Sequence, residues 1–269
     1  MTPFLKWPGG KRWFVTNHAD LLPKKFNRYI EPFLGSGSVF FHLKPKQAVL
    51  GDINADLVAA YQSIKDDWVE VERLLETHEE KHGEAYYYLI RDTEPRKDIK
   101  RAARLIYLNR TCFNGIHRVN LEGIFNVPKG TKNSVLFDTD NFEEVSKLLA
   151  HVEIHASDFE AIIDVAKKND FVFADPPYTV RHNVNGFIKY NEKLFSWKDQ
   201  IRLADALTRA RKREAKILST NANNHSIRKL YEERGFTTKT VSRFSSISAD
   251  PQSRKRFEEL VIFSNLKEE

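Results

Sequence analysis

Short apolar runs alternate with stretches of helical periodicity along most of this chain, the pattern of an α/β sheet. Strands are expected at RYIEPF (28–33), QAVLGDIN (47–54), VEIH (152–155), FVFAD (171–175), KILST (216–220) and ELVIF (259–263). A glycine turn after the first strand leads into a helix from about Ser38. Leu57, Tyr61 and Ile64 share one face of the helix that follows the second strand. Around 199–212, Leu203, Ala206, Leu207 and Ala210 fall at i, i+3, i+4 and i+7, so that helix should bury one face.

Residues 56–144 break this rhythm. They predict successive helices, an acidic one over 66–84 and a basic one over 98–110. A hairpin-like stretch, RVNLEGIFNVPKG, follows at 118–130. Its turn is expected at Leu121-Glu122-Gly123, where glycine can take a positive φ. A helical block with a hairpin inside an α/β sheet suggests an inserted recognition domain, leaving 1–55 and 145–269 to form the sheet.

At 269 residues, with 41% hydrophobic and 30% charged, the chain can bury a real core, which argues against disorder. Mean hydropathy is −0.52, and no apolar run approaches the roughly 18 residues of a membrane helix. The segment MTPFLKWPGGKRW lacks the apolar stretch of a signal peptide. A single cysteine, Cys112, excludes an internal disulfide and a Cys-rich zinc site. A cytoplasmic protein with no membrane contact is expected. Lys and Arg number 43 against 37 Asp and Glu, a net charge of +6. That sum hides an asymmetry: 66–84 is strongly acidic, 91–132 is basic, and 209–213 reads RARKR. Basic clusters suit nucleic acid, and solvated helix faces explain them equally well.

The most specific motif is Asp175-Pro176-Pro177-Tyr178, directly after an apolar strand. Prolines remove N–H donors, so carbonyls and the carboxylate dominate a rigid turn at the sheet's carboxyl edge, where such folds bind ligands. An acceptor-rich rim beside the flat face of Tyr178 suits the exocyclic amine of a nucleobase. An ordinary proline turn with a capping Asp is the structural alternative. Glu31-Pro32-Phe33-Leu34-Gly35-Ser36-Gly37-Ser38 is again strand, turn and helix, and matches neither a P-loop nor GxGxxG. About 20 residues on, Asp52 ends the next strand, where an acid accepts ribose hydroxyls in Rossmann-like folds. Asp52 as the cap of the following helix is the competing explanation. In Phe4-Leu5-Lys6-Trp7-Pro8-Gly9-Gly10-Lys11, Lys11 offers a cation and Trp7 a stacking surface, or the segment is merely anchored. The nine histidines show no paired ligand spacing, so no metal is expected, and Cys112 is expected to be structural.

FLKWPGGK, EPFLGSGS, GDIN and DPPY resemble, in this order, the motifs of the Dam-family (D12 class) DNA adenine-N6 methyltransferases. LNRTCFNG (108–115), with Arg118-Val119-Asn120 and Phe125-Asn126-Val127-Pro128, is similar to that family's recognition signature. The resemblance runs from residue 4 to about 265 and implies a seven-stranded Rossmann-like methyltransferase sheet carrying a helical-plus-hairpin DNA-recognition insert. It implies S-adenosylmethionine as donor, S-adenosylhomocysteine as product, double-stranded DNA as partner, a nucleoid location and no obligate protein partner. Carried over by position, Trp7, Lys11, the Glu31–Gly37 turn (Glu31, Phe33, Gly35, Gly37) and Asp52 hold the donor. Asp158 and Phe159 lie beside the donor's adenine, and Asp175-Pro176-Pro177-Tyr178 is the catalytic loop, with Asp175 also near the donor. Lys6 matches a guanine-touching lysine, while Asn114 and Arg118 match hairpin residues that reach bases or refill the hole left by a flipped adenine. Phe113, Asn120, Pro128, Lys132, Arg254 and Lys255 complete the expected DNA contacts. Lys129-Gly130-Thr131-Lys132-Asn133 stands where the family often has an aromatic, a glycine and a basic-aromatic-basic run. Phe113 stands where Tyr is common, so the expected site is GATC or a related short sequence. Cytosine-N4 and RNA methyltransferases and an inactive DNA-binding protein are the competing functions. Asp rather than Ser at 175, the hairpin and the intact DPPY argue against them in turn.

Overall fold

The computed structural model describes residues 1–115, 118–120, 123–178, 195–244 and 256–266. Among them lie strands β1 (Tyr29–Glu31), β2 (Ala48–Asp52), β3 (Val152–Ala156), β4 (Phe171–Ala174), β5 (Lys216–Ala222), β6 (Thr237–Phe244) and β7 (Arg256–Ser264). They form a seven-stranded sheet in the order β3-β2-β1-β4-β5-β7-β6. The strand at 237–244 has no counterpart in the hydrophobic pattern. It ends the strand order and pairs antiparallel with β7, so TTKTVSRF needs no apolar run. The chain forms two compact units, one of Met1–Val15 and Leu34–Ser157, the other of Thr16–Phe33 and Asp158–Glu269.

In the first unit, β2 and β3 pair in parallel from Ala48 opposite Val152 to Asp52 opposite Ala156. The helices are α1 (Arg12–Asn17), α2 (Ser38–Leu43), α3 (Ala55–Glu80), α4 (Glu84–Arg91), α5 (Asp98–Thr111) and α6 (Phe142–Leu149). The acidic stretch is a continuation of the helix after β2 and not a separate one, because no Gly or Pro interrupts 55–80. One residue, Asp67 (φ −154°, ψ 70°), breaks its ladder, and α4 starts after Gly83. The face predicted at Leu57, Tyr61 and Ile64 is fully buried. Tyr61 meets Phe4 with ring centroids 4.8 Å apart, and Phe4 also contacts Phe41 and Phe142.

The second unit holds the strand-order reversal. Parallel β1 and β4 are neighbours, Tyr29 opposite Phe171, although two strands, β2 and β3, intervene in sequence order. Ligands bind at such a switch point, beyond the carboxyl ends of the strands. Here those ends deliver Glu31 and Asp175. Helix α7 (Phe159–Asp164) packs on α8 (Trp197–Lys212), and α9 is His225–Glu232. Ser196 opens α8 with a capping box to Asp199, and Leu203, Ala206, Leu207 and Ala210 are fully buried as their spacing predicts. The basic run 209–213 is taken up internally. Arg209 and Arg213 pair with acids of α7, and Arg211 donates to the Gly235 carbonyl.

Candidate active site

In the second unit, burial gathers polar groups around the turn after β4. Thr220 on β5 donates to Asp175 Oδ1 at 2.6 Å, and the Tyr178 hydroxyl donates to Glu259 Oε2 of β7 at 2.7 Å. Pro176 is buried and Pro177 exposed. Tyr29 is fully buried and hydrogen-bonds Glu31; burial first, then the charges of Glu31 and Asp175, hold its phenol well above the usual range. Tyr178 is held up likewise by burial, then by Asp175 and Glu259, so it stays a protonated donor. Asp175 Oδ1 is held as an acceptor by the Thr220 hydroxyl.

Around this turn, Phe33 stacks on Phe159 with centroids 5.3 Å apart, and Phe195 meets both edges. Asp158 caps α7 by accepting from the Glu160 N–H. It also pairs with Arg202 at 2.8 Å, and that guanidinium lies over the Phe159 ring. The segment 158–159 is thus fixed by contacts visible in no local motif.

In the first unit, the glycine turn and Asp52 meet. Gly35 N–H donates to Asp52 Oδ2 at 3.1 Å and Asn54 N–H to Oδ1 at 2.9 Å. Burial pushes the Asp52 carboxyl up, and the N–H groups of Asn54, Gly35 and Ile53 oppose it. Asp52 is not the helix cap. That role belongs to Asn54, whose side chain accepts from Asp56 and Leu57 N–H. Gly35 has φ +49°, and a Cβ there would lie 3.0 Å from Trp7 Cδ1, so both the turn and the tryptophan require glycine. Gly37 likewise has positive φ, and Lys11 is buried with its ammonium 3.4 Å from the Gly9 carbonyl.

The signature LNRTCFNG resolves into two latches. Asn109 accepts from Lys6 N–H at 2.9 Å and donates to the Lys6 carbonyl at 2.7 Å, imitating a backbone partner. Buried Arg110 pairs with Asp140 and donates to the carbonyls of Phe4 and Val135. Beyond α5, Phe113 N–H donates to the Pro128 carbonyl and Gly130 N–H to Thr111. A Cβ on Gly130 would lie 2.6 Å from the Cys112 carbonyl oxygen, so the loop crosses α5's end only with glycine there. Phe113, Asn114, Arg118, Pro128 and Lys132 are exposed, and Asn120 is half-buried. Val119 bridges Phe125 antiparallel, Asn120 exchanges hydrogen bonds with Ile124, and Gly123 has φ +81°. Of the expected turn, Leu121 and Glu122 lie outside the described residues, as do Arg254 and Lys255.

The Lys6 and Lys132 ammonium groups lie within hydrogen-bonding reach of each other. That contact, burial, and the charges of Lys132 and Arg12 lower the Lys6 pKa to about 8, against a small opposing effect of Cys112. They line a cavity of about 330 Å³ with Phe4, Asn109 and Phe137.

The family model for D12 class N6 adenine-specific DNA methyltransferases matches residues 7–247. The chain belongs to that family. A type II methyltransferase of Methanocaldococcus jannaschii is 39% identical, the match spanning 94% of this chain and 95% of the relative. A type II methyltransferase of Lactococcus lactis subsp. cremoris is 32% identical over 97% and 95%, and the DNA adenine methylase of Escherichia coli (strain K12) 30% over 96% and 93%. This D12 enzyme is therefore a DNA methyltransferase acting on adenine N6. Two residues that bond the turn after β4 escaped the sequence reading, Thr220 and Glu259. The visible signal at Glu259 is an acid placed inside the otherwise apolar strand ELVIF. Thr220 carries none.

Proposed function

We propose that this enzyme takes its methyl group from S-adenosylmethionine and places it on an adenine flipped out of duplex DNA, within GATC or a related short site. The reading rests on the pre-oriented acceptor at Asp175, fixed by Thr220 where β4 ends at the switch point. The residues present fit the donor. Asp52 accepts backbone N–H groups from Gly35, Asn54 and Ile53, and a carboxylate, with about four lone-pair sites, keeps capacity for a ribose hydroxyl. By the family resemblance, Trp7, Lys11, Glu31, Phe33, Gly35, Gly37, Asp158 and Phe159 are the further residues assigned to the donor. When bound, S-adenosylmethionine supplies an electrophilic methyl on a positively charged sulfur.

Adenine N6 is a weak nucleophile because its lone pair is delocalised into the ring, and flipping the base costs a few kcal/mol. Asp175 and the Pro176 carbonyl accept hydrogen bonds from the two N6–H groups and localise that lone pair, the proton that N6 sheds on methylation leaves along the hydrogen bond to Asp175, and Pro177 stiffens the turn. The ring of Tyr178 stacks on the base and sets its angle for in-line transfer. The gain comes from positioning and electrostatics, with no covalent enzyme intermediate. Residues 56–144 form the target-recognition insert, and 1–55 with 145–269 the catalytic domain. In the insert, Phe113, Asn114, Arg118, Asn120, Pro128 and Lys132 meet the DNA, with Lys6 reading a base and Arg254 and Lys255 touching phosphate. The substrate places the enzyme at the nucleoid, in the cytoplasm.

The test is labelled methyl transfer from S-adenosylmethionine into unmethylated duplex DNA, followed by nuclease digestion and mass analysis. N6-methyladenine is expected. Asp175→Ala should lower kcat by about 10²–10³, the cost of losing a preorganised transition-state partner, with donor and DNA affinity kept. Normal turnover in that variant rejects the assignment.

A further inference from the structure

Glu259 is only 4% exposed, and a carboxylate is costly to bury without a partner. Its position follows from the sheet. Along the antiparallel β5–β7 pair, Ala222 faces Glu259 and Thr220 faces Val261, so Thr220 and Glu259 are diagonal neighbours on one face. From that face the two side chains reach the same four-residue turn. Thr220 holds the carboxylate of Asp175 and Glu259 holds the hydroxyl of Tyr178, at 2.6 and 2.7 Å. Both contacts engage a charged acceptor, the stronger and more directional kind. A tyrosine ring in a proline-rich turn keeps freedom about χ1 and χ2, and a fixed hydroxyl removes it. Glu259 is far from the turn in sequence, yet the β7 register brings it there.

We propose that Glu259 is a positioning residue for methyl transfer: by gripping the Tyr178 hydroxyl it fixes the ring plane against which the target adenine rests. The inference rests on the stacking role of Tyr178 proposed above. Glu259 does not itself touch the base, so it acts entirely through that hydroxyl. A misplacement of about 1 Å costs on the order of 10²-fold in rate, so releasing the ring should be felt in chemistry rather than in binding.

The experiment is a double-mutant cycle on single-turnover methyl transfer, with saturating S-adenosylmethionine and unmethylated genomic DNA. The variants are E259Q, Y178F, the double variant and Y178A, all in the full chain. Donor affinity by calorimetry and DNA affinity by filter binding check that each is folded. E259Q and Y178F should each slow transfer by about tenfold or more with both affinities unchanged, and the double variant should be no slower than the slower single. A multiplicative loss in the double variant, or an E259Q enzyme at the wild-type rate, overturns the proposal. Y178A separates the two layers. If Y178A transfers at the wild-type rate, the stacking role itself is wrong; if Y178A is crippled while E259Q is normal, only the role of Glu259 falls. Should E259Q fold poorly, E259D gives the same discrimination: a shortened carboxylate must restore part of the rate in a Tyr178 background and none with Y178F.

Discussion

If Lys6 meets the DNA as proposed, its neighbouring ammonium, Lys132, should give DNA binding a pH dependence that an ordinary lysine lacks. With a pKa of about 8, Lys6 is charged in roughly nine-tenths of molecules at pH 7 and one-tenth at pH 9. An unperturbed lysine at 10.5 would remain almost fully charged across that range. If only the charged form engages DNA, apparent affinity scales with that fraction and falls by about tenfold from pH 7 to pH 9. Lys132→Met removes both the largest cause of the shift and its charge contribution, leaving burial and Arg12. The Lys6 pKa then rises, and the fall in affinity should move above pH 9. Stability runs the other way. Between pH 8 and 10.5 the unfolded chain binds more protons at Lys6 than the folded one, so this group makes the fold more stable as pH rises. The assay is fluorescence anisotropy on a cognate duplex at fixed low ionic strength, because exposed charges are screened by salt. Equal falls in affinity for wild type and Lys132→Met would refute the coupling.

Asp52→Ala should weaken S-adenosylmethionine binding in calorimetry by about tenfold to a hundredfold, the worth of charge-assisted hydrogen bonds of about 1.5–3 kcal/mol; helicity should hold, since Asn54 caps α3. Arg118→Ala should relax specificity at one position by about 1–3 kcal/mol in transfer rates across single-base variants of the site. An equal slowing of every variant would make Arg118 a phosphate clamp instead. His78 donates or accepts at Tyr86 and stacks on Tyr107, and burial, then Lys81, lowers its pKa to about 4. Its folded pKa lies below the unfolded value of 6.5, so stability should drop as pH falls from 6.5 toward 4, read as Tm against pH. His78→Phe should flatten that slope.

The central parallel strand β4 was legible because it is buried on both faces and therefore apolar throughout, as FVFA shows. Edge strand β6 was not, since a polar outer strand carries no such run. The helix boundary at 80–84 was blurred because charge marks a surface and not an end; Gly83 carried the boundary. At the candidate site, motif spacing singled out Asp52 and Asp175, and the structure removes only the capping explanation for Asp52, because Asn54 caps α3. Glu259 and Arg202 act across strand and helix pairings, at separations of 81 and 44 residues from Tyr178 and Asp158, where local pattern has no reach.

Helix α3 offers a natural seam for exchanging sequence preference between relatives. Its first half starts two residues beyond the Asp52 turn, and Ser146 of α6 donates to the carbonyl of Lys65 there. Its far end presents Glu79 to the backbone of Val135. Between the halves, the ladder is already interrupted at Asp67, so a junction placed there severs no regular turn. A transplant running from Asp67 to Asp140 would carry the distal half-helix, α4, α5 and the 129–135 loop as one block. Such a chimera inherits two requirements: the recipient must present a backbone that Asn109 and Arg110 can grip at Lys6 and Phe4, and an acid at the place of Asp56 to pair with Arg101. If the 56–144 insert reads the target as proposed, recombination at this seam would exchange target preference in one step.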